Sequence, residues 1–576
     1  MRFRFLCVLA LFAVFAAPAA DDLETSVSLM AKIGSCGSPS FSPDGRRLAF
    51  VSNLSGVPQV WTVAAAGGWP TMVTALEDPV GFVTWSPDGQ WLAFTSAPGG
   101  GMNAQVFLVH PDGSGLRRLT DGGKETNGLS VWSHDGKLLA FTSSRRDPRA
   151  IDAYTYDVAS GQSRLVAKNP GVGNLGDVSR DRQWGVLDRL QNRGDNNLLL
   201  IDLAGGKETL LTPHDPPGTF GGGSFSPDGK TIYLASNQDR DRIAFAQIRL
   251  GADGKPGPIE VLAARDDAEL AGLELTEDGR TAALLWNVSG RSGLSFFDLA
   301  ARKETPGPKL PAEIAGGLNF SRDGRLLALS ASGAAAPSDL WVLERATGRF
   351  RQVTRSPHAG VSLDSLVRPE LVKFAARDGL PLSGWLYRPR GASGPGPVAL
   401  SFHGGPEGQE RPAFSSTYQA LLARGIAVFA PNVRGSSGFG KKFVNLDNGA
   451  LRENGVQYIE ACVRYVVQAC VADPKRVGIL GGSYGGYMVM AGITEFPGLF
   501  AAGADLFGIV NFETFSLIRS RGWRQSRRSS TATPTPSATC SAGSRPFTSW
   551  TASAPRPSSC TAPTTPTCRW SKPSRW

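Results

Sequence analysis

A short phrase recurs seven times within the first 350 residues, and its spacing constrains the fold more than any other feature of the chain. The first copy reads Phe41-Ser42-Pro43-Asp44-Gly45, and the last reads Phe320-Ser321-Arg322-Asp323-Gly324. The seven copies end at residues 45, 89, 136, 182, 229, 279 and 324. A period of this length is typical of propellers, in which each repeat forms one four-stranded blade. The sequence therefore predicts a seven-bladed β-propeller over residues 35–362.

The phrase itself predicts a tight turn. Proline fixes φ at the second position of such a turn, and glycine accepts the positive φ near its end. An alternating apolar run, such as Leu92-Ala93-Phe94, follows each copy and predicts a strand. The repeated aspartate is also compatible with a metal site, but one carboxylate per blade on separate turns does not converge on one ion. We therefore expect structural turns and no metal or other cofactor.

After residue 362 the repeat stops, and predicted strands begin to alternate with predicted helices. The strands fall at residues 371–374, 382–387, 397–402, 426–430, 476–480 and 501–506, and the helices at 418–424, 451–469 and 484–493. Such alternation is typical of a mostly parallel sheet with helices on both faces. The sequence predicts a second, α/β domain over residues 363–515.

The junction between the strand at 476–480 and the following helix carries Gly481-Gly482-Ser483-Tyr484-Gly485. This is the G-x-S-x-G pattern of a nucleophile elbow, in which a sharp turn presents the serine hydroxyl at the carboxyl end of the sheet. The flanking glycines allow neighbouring backbone to approach without a Cβ clash. Ser483 is therefore the candidate nucleophile. The alternative is a glycine-rich turn with a passive serine.

A second glycine motif, His403-Gly404-Gly405-Pro406, ends the predicted strand at 397–402. An α/β-hydrolase places half of its oxyanion hole at this point. Backbone N–H groups of Gly404 or Gly405, together with that of Tyr484, could therefore stabilise the oxyanion of a tetrahedral intermediate. A simple Gly-Pro turn is the alternative. His403 is a poor catalytic base, because the base of this fold follows the nucleophile along the chain.

The combination of motifs resembles the prolyl oligopeptidase family. It consists of the propeller repeat, HGGP at 403–406, NVRGSSGFG at 432–440, DPKRVGILGGSYGGYM at 473–488 and ADLFGIVNFETF at 504–515. HGGP and GGSYGG are most similar to the acylaminoacyl-peptidase and dipeptidyl-peptidase branch. The resemblance implies an α/β-hydrolase domain and a serine peptidase for short peptides, with the propeller limiting access to a site between the domains. It also implies that Ser483 is the nucleophile, that Gly404, Gly405 and Tyr484 form the oxyanion hole, and that Arg434 contacts substrate.

The chain departs from the family after residue 515. No histidine follows Ser483, and no acidic residue follows Glu513, so two members of a serine triad are missing. Residues 516–576 contain 32 Ser, Thr and Pro and no regular period. Codons can be chosen for residues 559–570 whose shifted reading gives LHGANDTNVPV, which is similar to family sequence around the triad aspartate. We therefore predict a frameshift near residue 516, an incomplete hydrolase domain, a disordered out-of-frame tail and no normal catalysis.

The amino terminus and the charge distribution indicate where the protein acts. Residues 1–19 combine a cationic start, a short apolar run and a small-residue site ending at Ala19, which together predict a cleaved signal peptide. A buried N-terminal strand or helix is the alternative.

The formal charge of +10 comes from ten Lys and Arg in residues 516–576, while the remainder carries 50 basic and 50 acidic residues. We therefore expect a periplasmic or secreted protein with no nucleic-acid partner and no membrane insertion after signal cleavage.

Two other classes of function remain compatible with these motifs. One is a propeller binding protein that carries a catalytically dead hydrolase domain. The other is an esterase on the same fold, because the elbow and the oxyanion hole serve ester and peptide hydrolysis alike.

Overall fold

The computed structural model describes residues 23–192, 194–251, 254–512 and 515, and these residues form two domains. In the first, seven four-stranded sheets follow one another along the chain. The predicted seven-bladed propeller is therefore confirmed. Blades 1 to 4 consist of β1 Cys36–Phe41, β2 Arg47–Ser52, β3 Gln59–Ala64, β4 Thr71–Met72; β5 Val80–Trp85, β6 Leu92–Ser96, β7 Gln105–Val109, β8 Arg117–Arg118; β9 Asn127–Trp132, β10 Leu138–Ser143, β11 Asp152–Asp157, β12 Ser163–Ala167; β13 Gly173–Val178, β14 Trp184–Asn192, β15 Asp195–Asp202 and β16 Glu208–Leu210. Blades 5 to 7 consist of β17 Phe220–Phe225, β18 Thr231–Ser236, β19 Ala244–Leu250, β20 Pro256–Ala263; β21 Ala268–Leu275, β22 Thr281–Val288, β23 Arg291–Asp298, β24 Lys303–Pro306; β25 Ile314–Phe320, β26 Leu326–Gly333, β27 Ala336–Glu344 and β28 Arg349–Gln352.

The repeated phrase forms the turn between the first and second strand of every blade. In blade 1 the Ser42 hydroxyl donates to Asp44 Oδ1 at 2.5 Å, and the same carboxylate oxygen accepts from the Arg46 N–H at 3.0 Å. The equivalent hydroxyl-to-aspartate bond, 2.6 to 2.7 Å long, is present in the other six blades. The degraded copy keeps this geometry, with Arg182 at φ +58° where the other copies have glycine. Each carboxylate is thus used within its own turn, as expected for structural turns.

The first strand of every blade carries a β-bulge. In all seven blades the pairing register between the first and second strands shifts once, and a glycine lies at or beside the shift in most of them. A bulge leaves one residue unpaired and bends the strand. The first strands of all seven blades therefore share one local distortion, which a glycine accompanies in most of them.

The ring closes without sharing a strand between its first and last blades. Blade 1 and blade 7 are each built from one continuous segment, and side chains join them. The Phe41 N–H donates to Asn319 Oδ1 at 2.7 Å, and the Ser338 hydroxyl donates to the Cys36 carbonyl at 2.8 Å. We call the boundary between blades 1 and 7 the seam of the propeller. The ring is therefore closed by contacts across this seam, and no described strand from one end of the propeller completes the blade at the other end.

The second domain contains a six-stranded sheet in the order β29-β30-β32-β31-β33-β34. β29 and β30 form an antiparallel hairpin, β30 pairs antiparallel with β32, and the remaining neighbours pair in parallel. This is the predicted mostly parallel sheet. The strands are β29 Glu370–Ala375, β30 Pro381–Tyr387, β31 Gly396–Phe402, β32 Ala427–Asn432, β33 Ala472–Gly482 and β34 Ala502–Leu506.

Helices cover both faces of this sheet. Leu400 and Phe429 belong to one apolar cluster with residues of α5 and α6, whereas Trp385 and Val428 belong to another with Leu422 of α2. The helices are α1 Leu23–Ala31, α2 Ser416–Ala423, α3 Lys441–Val444, α4 Arg452–Val456, α5 Tyr458–Gln468 and α6 Tyr484–Glu495, with short 3₁₀ turns at Pro98–Gly100, Leu363–Ser365, Asn445–Asp447 and Gly449–Leu451. None of the described helices is long and apolar enough to span a bilayer.

The second domain differs from the sequence prediction in one helix and has one contact that was not predicted. The single helix predicted over 451–469 is divided into α4 and α5. The division falls at Gln457, and Asn454 and Gly455, both poor helix formers, lie just before it in α4; a Cβ on Gly455 would come within 2.6 Å of the Asp447 carboxylate. In addition, α1 packs against α2, so the segment before the propeller contacts the second domain. The predicted signal peptide lies outside the described residues.

The sheet ends at β34, whose five residues are all exposed. Leu506, the last residue of β34, and Phe507, which follows it, are 50% and 86% exposed. A parallel strand in this fold is normally covered on both sides. Among the described residues, the hydrolase sheet therefore ends at an apolar edge that no described strand or helix covers, and the incomplete domain stays a prediction.

We expect the two domains to behave differently when they are expressed separately. Residues 35–362 should be soluble and melt cooperatively, because the ring closes on itself. Residues 363–576 should be insoluble or rapidly digested, because the β34 edge exposes backbone hydrogen-bonding groups and apolar side chains that favour aggregation. Limited proteolysis and the soluble fraction measure both outcomes. A compact, protease-resistant 363–576 fragment would contradict this prediction and the predicted frameshift together.

Candidate active site

Ser483 lies at the junction between β33 and α6, in the elbow that the sequence predicts. Its backbone has φ 56° and ψ −115°, a conformation that residues other than glycine rarely adopt. Three backbone hydrogen bonds hold it: the Ser483 N–H donates to the Leu506 carbonyl at 3.1 Å, and the Ser483 carbonyl accepts from the N–H groups of Tyr487 at 3.1 Å and Ile509 at 3.3 Å. Strained residues persist where the surrounding structure fixes them, and they cluster at functional sites. The geometry is that of a nucleophile elbow.

The glycines around Ser483 are required by close backbone packing. A Cβ on Gly485 would lie inside van der Waals contact of the Phe402 carbonyl, 2.8 Å from its carbon. A Cβ on Gly481 would lie 2.5 Å from the backbone of Gly485. By contrast, a Cβ on Gly482 would have its nearest neighbour at an ordinary 3.5 Å. The elbow therefore fits tightly against the end of β31, and only some of its glycines are sterically necessary.

The two motifs proposed for the oxyanion hole meet at Ser483. β31 and β33 pair in parallel as far as Phe402 and Gly481, which brings the next residues of both strands to the same edge. A Cβ built on Gly404 would lie 4.0 Å from Ser483 Oγ. Tyr484 is the first residue of α6, where the helix leaves N–H groups without intrahelical partners. Gly405 follows with φ 135°, which favours glycine. The structure thus places Gly404 and Tyr484 beside the serine.

His403 is engaged on both ring nitrogens. Nδ1 donates to the Gly404 carbonyl at 2.9 Å, and Nε2 lies 2.8 Å from the Ser436 hydroxyl. Burial lowers the pKa of His403 below its usual value, so the ring is neutral. These contacts hold the HGGP turn in place and support the view that His403 is not the base. Among the described residues, the Ser483 hydroxyl has no hydrogen-bond partner.

A buried cluster behind the elbow was not predicted from the sequence. The Tyr484 hydroxyl donates to the Asp447 carboxylate at 3.0 Å, and Arg452 Nε lies 3.5 Å from the same carboxylate. The Arg452 guanidinium also lies over the rings of Tyr484 and Phe512, at 5.6 and 4.7 Å. Burial raises the pKa of Asp447 to about 7. No sequence motif joins Asp447 and Arg452 to the elbow, so only the fold reveals that they fix the side chain next to Ser483.

Arg434, which the resemblance places in contact with substrate, is bound within the domain. Its guanidinium pairs with Asp378 in the β29–β30 turn and lies 4.3 Å above the Tyr458 ring. Its side chain is only 7% exposed. These contacts stabilise the positive charge of the buried Arg434 guanidinium within the domain. A substrate-binding role for Arg434 stays a prediction.

Glu410, seven residues after His403, is a buried carboxyl group without a cation among its described contacts. The Tyr418 hydroxyl lies 3.2 Å from Glu410 Oε1 and 2.7 Å from the Ser401 hydroxyl. Burial raises the pKa of Glu410 to about 7 from the ordinary 4.5. The carboxyl group is therefore protonated in mildly acidic solution.

This burial predicts a pH dependence of stability. Because the folded pKa is raised, the unfolded chain releases the proton first as the pH increases. The free energy of unfolding should therefore fall between about pH 4.5 and pH 7, by about 3 kcal/mol for this group. Glu410→Gln should flatten the profile, whereas Glu453→Gln at an exposed position should not. Urea midpoints at pH 5 and pH 8 measure the difference; parallel profiles for Glu410→Gln and the unmodified chain would contradict it.

Comparison with known proteins places this site in a family. Residues 412–539 match the profile of the prolyl oligopeptidase family, and residues 19–170 match that of the TolB β-propeller domain. These matches confirm the resemblance to the prolyl oligopeptidase family that the sequence motifs indicate. They support a serine peptidase by family, with peptides as the class of substrate. The first match runs beyond Phe515, so the position of the predicted change of frame stays a prediction.

Relatives and solved structures agree with this assignment. The chain is 28% identical over 523 residues to dipeptidyl aminopeptidase BIII of Pseudoxanthomonas mexicana, covering 87% of this chain and 74% of that one. It is 32% identical over 108 residues to an acylamino-acid-releasing enzyme of Arabidopsis thaliana, covering 19% and 14%. A solved prolyl endopeptidase superposes with a TM-score of 0.77 at 18% identity, covering 89% and 78%. A puromycin-hydrolyzing peptidase of Mycobacterium tuberculosis gives 0.75 at 16%, covering 90% and 84%. The two structures share the two-domain fold.

The described residues hold no group of three or more His, Cys, Asp or Glu side chains placed to bind a metal ion.

Proposed function

We propose that Ser483 is the nucleophile of an exported peptidase that cleaves short peptides through an acyl-enzyme. The observation that carries the proposal is the strained backbone of Ser483, at φ 56° on a strand-to-helix elbow, with Gly404 packed beside its hydroxyl. A passive glycine-rich turn has no reason to maintain this conformation. The match to a dipeptidyl aminopeptidase along most of the chain supports the peptidase class.

The reaction follows from the geometry. Ser483 Oγ attacks the peptide carbonyl carbon, and a general base accepts the hydroxyl proton. The carbonyl oxygen becomes an oxyanion that the N–H groups of Tyr484 and of Gly404 or Gly405 stabilise. The C–N bond then breaks, the amine leaves with a proton, and water hydrolyses the ester to release the acid and restore Ser483. The positive end of α6 also favours the developing negative charge.

The base of this mechanism is missing from the printed sequence after Ser483. We propose that the family's histidine and aspartate belong to a segment read in another frame, and that the chain as printed has no normal catalysis. A catalytically dead propeller binding protein is the second candidate, and the observation that favours it is the same absence of a histidine downstream of Ser483. Export rests on the predicted signal peptide of residues 1–19.

The test uses a chain whose codons after Phe515 are read in the shifted frame. A fluorophosphonate probe should label it at Ser483, and Ser483→Ala should abolish both labelling and peptide hydrolysis, because the nucleophile is removed. Ser160→Ala, at an exposed serine of a propeller turn, should label like the parent. Peptide hydrolysis that persists in Ser483→Ala would remove this residue from its role.

Substrate panels separate the remaining alternatives. Peptides with a free amino terminus should be cleaved if the protein acts like the dipeptidyl peptidase branch, and N-acylated peptides if it acts like the acylaminoacyl branch. An enzyme that hydrolyses p-nitrophenyl esters but neither class of peptide would be an esterase. A frame-restored protein that labels with no probe but still binds peptides would favour the binding protein.

A further inference from the structure

The seven turns of the propeller differ at their third position. Blades 1, 2 and 5 carry proline there, as the repeated phrase predicts, whereas the other four blades carry residues that hold a charge or can acquire one. We name these four residues the axial cluster: His134, Arg180, Glu277 and Arg322. Nothing in the peptidase chemistry uses them.

The axial cluster connects blades that are not neighbours. Arg180 of blade 4 pairs with Glu277 of blade 6, with Nη2 3.0 Å from Oε1, and it also bonds the Glu277 carbonyl. His134 Nδ1 of blade 3 lies 3.5 Å from Glu277 Oε1. Arg322 of blade 7 donates to the Pro87 carbonyl of blade 2 at 3.1 Å. Blades 3 and 6 lie about 150° apart around a seven-bladed ring, so side chains that join them cross its axis.

Electrostatics hold the cluster together. The hydrogen bond that the Glu277 carboxylate accepts from the ring raises the pKa of His134 despite partial burial, and Asp177 lies 3.8 Å from the other ring nitrogen. Burial alone would raise the pKa of Glu277, but His134, Arg180 and Arg322 hold it below its usual value. The carboxylate is therefore ionised and surrounded by three potential cations. An ion pair with several partners has a more defined geometry than an isolated surface pair.

The cluster lies at the end of the ring that faces away from the hydrolase domain. It belongs to the turns that join first and second strands. The hydrolase domain contacts the opposite loops, which join second and third strands: the Lys441 N–H donates to the Asp241 carbonyl at 2.8 Å, and Asn287 Nδ2 donates to Gln409 Oε1 at 2.7 Å. In an antiparallel blade, successive connections alternate between the two ends. The side chains that cross the axis therefore do so at the outer mouth of the ring.

We propose that the axial cluster closes the outer mouth of the propeller, so that the ring is a blind chamber and peptides reach Ser483 from the side of the domain interface. The part that concerns peptides rests on the proposed function. The closure itself does not, because it is made of propeller residues alone. Substrate length would then be limited by the opening between the domains and not by the ring axis.

The test measures access to the ring interior with a thiol reagent. Ala271 is exposed on β21, the innermost strand of blade 6, so Ala271→Cys places a reporter in the chamber of the full chain. The probe is a maleimide on a long polyethylene glycol chain. The unmodified chain, whose described free cysteines Cys36 and Cys462 are buried, gives the background rate. This measurement does not involve Ser483, so it is independent of the proposed function.

The Ala271→Cys thiol should react slowly in the otherwise unmodified chain. Adding Arg180→Ala and Glu277→Ala should accelerate the reaction at least about tenfold, because the barrier at the outer mouth is removed. Arg182→Ala is the matched control: it removes a 3.4 Å ion pair with Asp135 between neighbouring blades of the same turns, off the axis, and should leave the rate unchanged.

Thermal melting verifies that each variant is folded, and Glu277→Ala alone replaces the double substitution if that variant does not fold. Fast labelling with the cluster intact would overturn the proposal, as would a folded variant without the cluster whose rate does not rise. Equal acceleration by Arg182→Ala would show a general loosening of the blades and would overturn it too.

Discussion

The chain as printed should react with a fluorophosphonate at least about a hundredfold more slowly than a chain whose codons after Phe515 are read in the shifted frame. The elbow and the neighbouring backbone of Gly404 are present in both chains. Only the shifted frame would supply a histidine that accepts the Ser483 proton. Without a base the hydroxyl is a weak nucleophile, however well the oxyanion is stabilised. Labelling rates measured by gel fluorescence or intact mass give the ratio.

The comparison has an internal control and a genetic one. Replacing the restored histidine by alanine should return the rate to that of the printed chain, which separates loss of the base from loss of folding. Resequencing across the codon for Phe515 tests the frame directly. Equal labelling of the two chains would show that another group activates Ser483, and an unaltered base sequence would favour a true pseudoenzyme.

Gly485→Ala should destabilise the hydrolase domain by about 4 kcal/mol or more, a size found only when a substitution breaks a specific structural requirement. The added methyl group would overlap the Phe402 carbonyl, which is backbone and is fixed by pairing of β31 with two neighbours. Because no rotamer change relieves this clash, β31 or the elbow itself must move. Urea denaturation followed by the fluorescence of Trp385, which is buried in this domain, reports the change.

Gly482→Ala is the matched control in the same turn. Its Cβ would meet neighbours at 3.5 Å, and its φ is not in the region that favours glycine. We expect a change of less than about 1 kcal/mol, within the range of ordinary surface substitutions. Similar losses for the two variants would show that the elbow needs glycine for flexibility and not for close packing.

The features that the sequence predicts are those encoded over short stretches. The propeller turns need only five residues each, and the bond from Ser42 to Asp44 is local, so even the copy ending at Arg182 keeps its shape. The elbow at Ser483 can likewise be predicted from the sequence, because a strand, a glycine pair and a helix follow one another within about 20 residues.

Features that depend on distant partners could not be predicted. Asp447 and Arg452 meet Tyr484 only because the segment before α5 folds back under the elbow. The axial cluster joins residues 97 to 143 positions apart, and nothing in a single turn indicates which residue lies across the ring. The close approach of Gly455 to Asp447, just before the division of the long predicted helix, is likewise a tertiary feature.

The seam of the propeller has a consequence for how such proteins arise. The chain enters the ring beside the point where it leaves: the Gly34 N–H donates to the Pro357 carbonyl at 2.8 Å. Before that hydrogen bond, α1 packs against the hydrolase domain, and after it the chain continues into the strands of that domain. The whole ring is thus an insertion with adjacent ends. During evolution, a gene could gain the ring, lose it or replace it with a ring of a different number of blades without changing the strand connections of the hydrolase sheet. The two domains can therefore diverge at independent rates.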